Sequence, residues 1–199
     1  MPTTNGTAVK PAGRPRDPTL DEAIRTAARA VVIEFGYEDT TLAVIAKRAG
    51  VSIPTIYRRW PSKHELIEEA VLHLDTFELP RPTGNLRADL ATWVRLFLRV
   101  AMEPAARAAV PGLMSAYSRD PDNYNRLLTR GEVPVRAAIR QLIENAVETG
   151  QAAQDCDADA VFDLIRGATF LRALTHSDDG ADDFCARITD AVVRVVRKP

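Results

Sequence analysis

Hydrophobic residues recur three and four positions apart through most of the chain, and no stretch alternates with the period of two that a strand requires. The first periodic segment opens near Asp17-Pro18-Thr19. Either Asp17 caps a helix with Pro18 in its first turn, or Thr19 and Glu22 form a capping box. Leu20, Ile24, Ala27, Ala28, Val31 and Phe35 follow at helical spacing, and Gly36 supplies a stop. A short helix is predicted from about Thr41 to Ala49, with Leu42, Ile45, Ala46 and Ala49 on one face and Gly50 ending it. Val51 and a capping Ser52 lead into a third helix holding Ile53, Ile56, Tyr57 and Trp60, closed by Pro61. Ser62 and Glu65 have capping-box spacing for a fourth helix, which runs through Leu66, Ile67, Ala70, Val71 and Leu74.

The remainder is also helical. Pro80, Pro82 and Gly84 mark a break before Leu86–Met102; Pro104 precedes an Ala-rich stretch in which Pro111-Gly112 predicts a kink. Residues 121–149 are interrupted at Gly131 and Pro134, then resume with Val135, Ile139, Leu142, Ile143 and Ala146. The last two segments are the most regular. One carries Val161, Leu164, Ile165, Ala168 and Leu171, the other Phe184, Cys185, Ile188, Ala191, Val192 and Val195. Phe162, Phe170 and Val193 lie off those stripes, so these helices need more than one packing partner. The predicted fold is all-α. It comprises a Pro/Gly-rich arm (1–16), a three-helix unit (17–64) and a larger helical body (65–199).

Composition narrows the class. With 199 residues, 46% hydrophobic and 27% charged, the chain is long enough for a real core and too apolar for disorder. Two cysteines, Cys156 and Cys185, are too few for a disulfide scaffold and suit a reducing compartment. No apolar run approaches the roughly 20 residues that cross a bilayer, and the polar start lacks a signal-peptide core. A soluble, cytoplasmic protein with no membrane partner is expected. The net charge of −1 conceals a division: residues 1–64 hold ten Lys/Arg against six Asp/Glu, and residues 65–199 hold sixteen against twenty-one. A basic amino-terminal unit on an acidic body suggests that one end meets a polyanion.

Two short helices joined by a Gly-containing turn are the helix-turn-helix arrangement. Gly13-Arg14-Pro15-Arg16, Gly36-Tyr37, Thr40-Thr41, Ile45-Ala46, Ala49-Gly50-Val51-Ser52, Thr55-Ile56-Tyr57 and Trp60-Pro61-Ser62-Lys63 follow in one order. Together they resemble the amino-terminal domain of the TetR (tetracycline-repressor-like) family of transcriptional regulators, over roughly a third of the chain. The side chains suit that role. Ser52, Ile53, Pro54 and Thr55 are compact enough to approach base edges in a major groove. Tyr57 and Lys63 can reach flanking phosphates, and one of Arg58 and Arg59 faces DNA, which the sequence does not decide. Arg14 and Arg16 suit a narrow minor groove. The resemblance adds Thr41 as a phosphate contact. Trp60, Ile45, Ala46, Val51 and Ile56 read as packing residues.

For the acidic body the resemblance implies effector binding and dimerisation, hence a repressor released from a palindromic double-stranded DNA operator by a small molecule. The segments near 157–175 and 182–197 are the expected homodimer face, through Phe162, Leu164, Phe170, Phe184, Ile188 and Val192. Trp93, Phe97, Met102, Leu113, Met114, Tyr117 and Tyr124 are the expected effector-pocket residues. Arg95 and Arg99, one turn apart, either bind an anionic group or are solvated. The fourth helix is the expected connector between ligand and DNA, with Pro80–Gly84 and Pro111-Gly112 as flexible points. There is no Gly-rich phosphate loop, no Gly-x-Ser-x-Gly turn and no cysteine pair at metal spacing. No enzyme, cofactor or metal is therefore implied. Glu65, Glu69 and His73 read as a solvated or salt-bridged stripe, and the acids of 178–183 as complements to a helix dipole. Cys185 reads as a small hydrophobe.

Overall fold

The computed structural model describes residues 17–72 and 78–197, and leaves the side chains of Asn123, Leu128 and Arg130 undescribed. The arm with Arg14 and Arg16, and also His73 and Leu74, therefore lies outside the described residues. Among those residues ten α-helices follow one another: α1 (Pro18–Asp39), α2 (Leu42–Ala49), α3 (Ile53–Tyr57), α4 (Lys63–Leu72), α5 (Leu86–Met102), α6 (Pro104–Arg119), α7 (Pro121–Leu127), α8 (Val133–Glu148), α9 (Ala158–Thr175) and α10 (Ala181–Val196). A π-helical turn, Leu128–Glu132, joins α7 to α8.

Local chemistry accounts for most boundaries. Asp17 caps α1 by accepting from the Thr19 and Leu20 amides at 3.0 and 3.4 Å, which selects the first of the two predicted starts. Glu22 instead pairs with Arg25 and Arg29. At Gly36 the backbone leaves helical geometry (φ 76°, ψ 174°), and Thr40 Oγ1 donates to its carbonyl at 2.6 Å. Thr41 caps α2 through the Val44 amide, and Gly50 ends it in the left-handed conformation (φ 67°). Ser62 accepts from the Glu65 amide at the start of α4.

Two expectations are corrected. The third helix stops at Tyr57 rather than Trp60, because Trp60 turns into the core and donates its indole N–H to Glu69 at 2.8 Å. α6 runs through Pro111-Gly112 as one helix. Pro111 lies on the exposed side, where the carbonyl deprived of its partner can meet water.

Three apolar clusters organise the packing. The first holds Ile24, Ala28, Val31, Ile45, Ile56, Trp60, Leu66 and Ala70, and fixes the angle between α2 and α3. The second joins Val32 and Tyr37 of α1, Ile67 and Val71 of α4, and Ala109, Leu113 and Tyr117 of α6. The third unites α5, α8, α9 and α10. Helix α4 thus has one face in the three-helix unit and the other against the body. Its Glu68, 1% exposed, accepts from the Tyr117 hydroxyl at 2.8 Å.

Candidate nucleic-acid interface and ligand cavity

Ser52 and, on α3, Ile53, Pro54 and Tyr57 are exposed, Tyr57 to 55%. Buried Ile56 anchors the opposite face. Thr55 is half-buried; its Oγ1 pairs with Ser52 Oγ at 2.9 Å and accepts from Arg58 Nη2 at 3.1 Å. The two arginines differ. Arg59 is ion-paired with Asp21 of α1, the two side chains only 13% and 14% exposed, and donates to the Thr55 carbonyl. Arg58 is exposed. Thr41 is exposed at the start of α2.

Lys63 packs against the end of α1. Its Nζ donates to the Tyr37 carbonyl at 2.9 Å and lies 4.3 Å from the Tyr37 ring centre, so its charge compensates carbonyls at the end of α1. Burial lowers its pKa. Lys47, in the last turn of α2, is a further exposed cation of this unit.

The same corner holds a titratable pair. The Tyr37 hydroxyl is hydrogen-bonded to His64 Nδ1, and the rings are stacked. Burial, then the Lys63 charge, holds the imidazole below its ordinary value of 6.5, while burial raises the phenol. A neutral His64 with a bare Nδ1 accepts from the phenol and a protonated Nδ1 donates to it, so the neutral form is favoured here by the cost of desolvating the imidazolium rather than by the bond itself. A depressed folded pKa means that this contribution is complete above pH 6.5 and is lost as the pH falls through the folded value. Thermal melts from pH 7.5 to 5 should show that loss, and His64→Gln should flatten it; an unchanged profile in the variant would remove the pair from the account.

In the body, two adjoining cavities of about 170 and 470 Å³ share Leu72, Leu127, Glu132, Arg166 and Phe170 as walls. The smaller adds Phe97, Val100, Val135 and Phe162; the larger adds Leu113, Met114, Tyr117 and Tyr124. Five of the seven expected pocket residues thus meet in one place. Trp93 does not: it is buried beside a separate cleft formed with Pro80, Pro82 and Asp89. Met102 lines an open groove in which Arg95 and Arg99 face Glu78, Glu103, Asp178 and Asp182.

Polar groups gather at one end of the cavities. Arg166 pairs with Glu132 and donates to the Tyr124 hydroxyl at 3.0 Å. Arg136 Nη2 lies 3.5 Å from Glu132 Oε2, with its guanidinium 4.0 Å over the Phe162 ring. Glu132 and Arg166 were missed from sequence because the π-helical turn and α9 bring them together over thirty-odd residues, with no local signal.

Two of the six expected dimer residues are corrected, and a third, half-buried Phe170, also faces inward. Phe162 (1% exposed) and Val192 are buried in the body's own core, and Phe170 lines the cavities. The outward apolar stripe of α9 consists of Leu164, Leu171 (64% exposed) and Leu174 around exposed Gly167; on α10, Val195 is exposed and Phe184 and Ile188 are half-buried. Burial raises the pKa of both Cys156 and Cys185, which disfavours reactive thiolates. Among the described residues no group of three or more His, Cys, Asp or Glu could hold a metal, and no helix is long and apolar enough to cross a membrane.

Residues 24–70 match the family described as "Bacterial regulatory proteins, tetR family". Residues 80–192 match "Tetracyclin repressor-like, C-terminal domain". The chain is 31% identical over 173 residues to the HTH-type transcriptional regulator YdeS of Bacillus subtilis (strain 168), covering 86% of this chain and 87% of that one. It is 29% identical over 186 residues to a DNA-binding transcriptional repressor TetR of Mycobacteroides abscessus, covering 92% and 97%. Among solved structures, the TetR family transcription regulator SCO0332 superposes with a TM-score of 0.68 at 27% identity, covering 90% of this chain and 99% of that one. The chain belongs to the TetR family of helix-turn-helix transcriptional regulators.

Proposed function

We propose that the protein is a homodimeric repressor that leaves a palindromic operator when a small molecule occupies the cavity beneath α6 and α7, and that it works in the cytoplasm. The observation that carries this reading is the buried hydrogen bond from Tyr117 to Glu68. Tyr117 lines the larger cavity, and Glu68 sits on α4, whose Leu66 and Ala70 pack in the core that supports the recognition helix. A ligand that binds one position of α6 better than another would shift the spacing of two recognition helices through this link. The exposed stripe of Leu164, Leu171 and Leu174, with Val195, supplies a face for isologous pairing. A dimer places its recognition helices about 34–36 Å apart, or at a multiple of that spacing. In this reading Ser52, Ile53, Pro54 and Thr55 approach base edges, while Thr41, Tyr57 and Arg58 hold phosphates.

The test is fluorescence anisotropy on DNA from directly upstream of the protein's own gene, against a scrambled duplex, at two salt concentrations. Tight, palindrome-centred binding to the native duplex supports the proposal; equal weak binding to both, lost together with salt, would count against specific recognition. Arg58→Ala should weaken binding to all duplexes evenly and lower the salt slope by about 1. Arg59→Ala should act chiefly on stability, through loss of the Asp21 pair. Equal effects of the two on DNA affinity would contradict this placement.

A further inference from the structure

We infer that the effector is an uncharged, largely apolar molecule carrying one O–H or N–H donor, which it presents to Glu132 Oε2. This inference rests on the reading that the cavity is the effector site. The walls that would hold its body are apolar and aromatic, with Leu127 and Phe170 shared by the two cavities and Phe97 and Phe162 closing the smaller one. Such walls favour a hydrophobic ligand and leave its orientation to a few polar groups.

Glu132 is the polar group with capacity to spare. It lines both cavities and belongs to the π-helical turn Leu128–Glu132, a backbone feature that concentrates at functional sites. Its Oε1 pairs with Arg166, whereas Oε2 is buried and accepts no hydrogen bond from the described residues. The nearest guanidinium, Arg136, approaches that oxygen at 3.5 Å without hydrogen-bond geometry and is itself drawn outward to Asp163 at 2.7 Å. A buried acceptor without a donor is costly, so a ligand that brings one gains more than it would from an already satisfied site.

The charges around Glu132 select the donor's type. A carboxylate would place lone pairs against the acceptor it must satisfy. An ammonium would sit beside two guanidiniums, Arg166 and Arg136, that already balance the Glu132 charge. A hydroxyl or amide N–H meets the oxygen with neither penalty.

The experiment is calorimetric titration of the full chain with four probes of one skeleton: 4-pentylphenol, 4-pentylanisole, 4-pentylbenzoate and 4-pentylbenzylammonium. The phenol should bind about tenfold tighter than the anisole, which lacks only the donor, and tighter than either charged probe. In Glu132→Gln the preference for phenol over anisole should shrink markedly. Parity of phenol and anisole in the unmodified protein, or tighter binding of a charged probe, overturns the assignment of ligand class while leaving the cavity a binding site. A phenol preference unchanged in Glu132→Gln overturns the role of Glu132. Failure of all four probes to bind overturns the effector-site reading itself and this inference with it.

Discussion

Truncation of Phe162 to alanine should cost about 3–5 kcal/mol of stability, the range for removing a large aromatic side chain from a closed core. The ring is 1% exposed. It meets Phe97 edge-on at 5.6 Å between centroids, and the guanidiniums of Arg136 and Arg166 stand 4.0 and 5.5 Å from its centre. Its loss would remove these contacts and enlarge the cavity whose wall it forms. At about 2–4 °C per kcal/mol for a chain of this size, the melting temperature should fall by roughly 6–20 °C. The loss should persist at every protein concentration, because it arises inside one subunit. A variant that melts normally but fails to dimerise would return Phe162 to the interface.

The second large effect concerns Gly112, and its sign is the informative part. Alanine in place of glycine within a helix ordinarily stabilises by about 0.5–1 kcal/mol. Here a Cβ would fall 2.6 Å from Tyr37 Cγ and 2.7 Å from Tyr37 Cβ, so the ring and the end of α1 would have to move. Gly112→Ala should therefore destabilise, by about 1–3 kcal/mol, as overpacking of a filled site does. Tyr37 is also the partner of His64 and the ring beneath Lys63. Displacing it should loosen the seam between the DNA-binding unit and α6, and weaken any effect of ligand on DNA affinity. Paired melts of the two proteins, read with DNA binding, decide the matter; a variant as stable as the parent or more so would mean that the close approach carries no constraint.

Both results turn on what a helical period conveys. Periodicity phases side chains around their own helix axis, and the caps at Asp17, Thr41 and Ser62 involve partners within three residues. The helix order, the breaks at Gly36, Gly50 and Pro104, and the turn before the recognition helix were legible for that reason. The resemblance added roles for residues 41–63 because those side chains occupy one short, locally closed unit. Periodicity carries no information on what covers a helix's second face. Phe162 and Leu164 both suggested an interface, yet Phe162 packs against Phe97 of α5 while Leu164 is 48% exposed.

The sequence by itself determined an all-helical chain and a helix-turn-helix unit, because capping and helical spacing act over a few residues. Tertiary structure alone decided that Arg59 turns to Asp21 and leaves Arg58 outward, and that Lys63 sits over Tyr37. It alone brought Tyr117 to Glu68 across 49 residues, and Arg166 to Glu132 across 34. These pairings join residues from different helices, and their geometry exists only once the helices have packed.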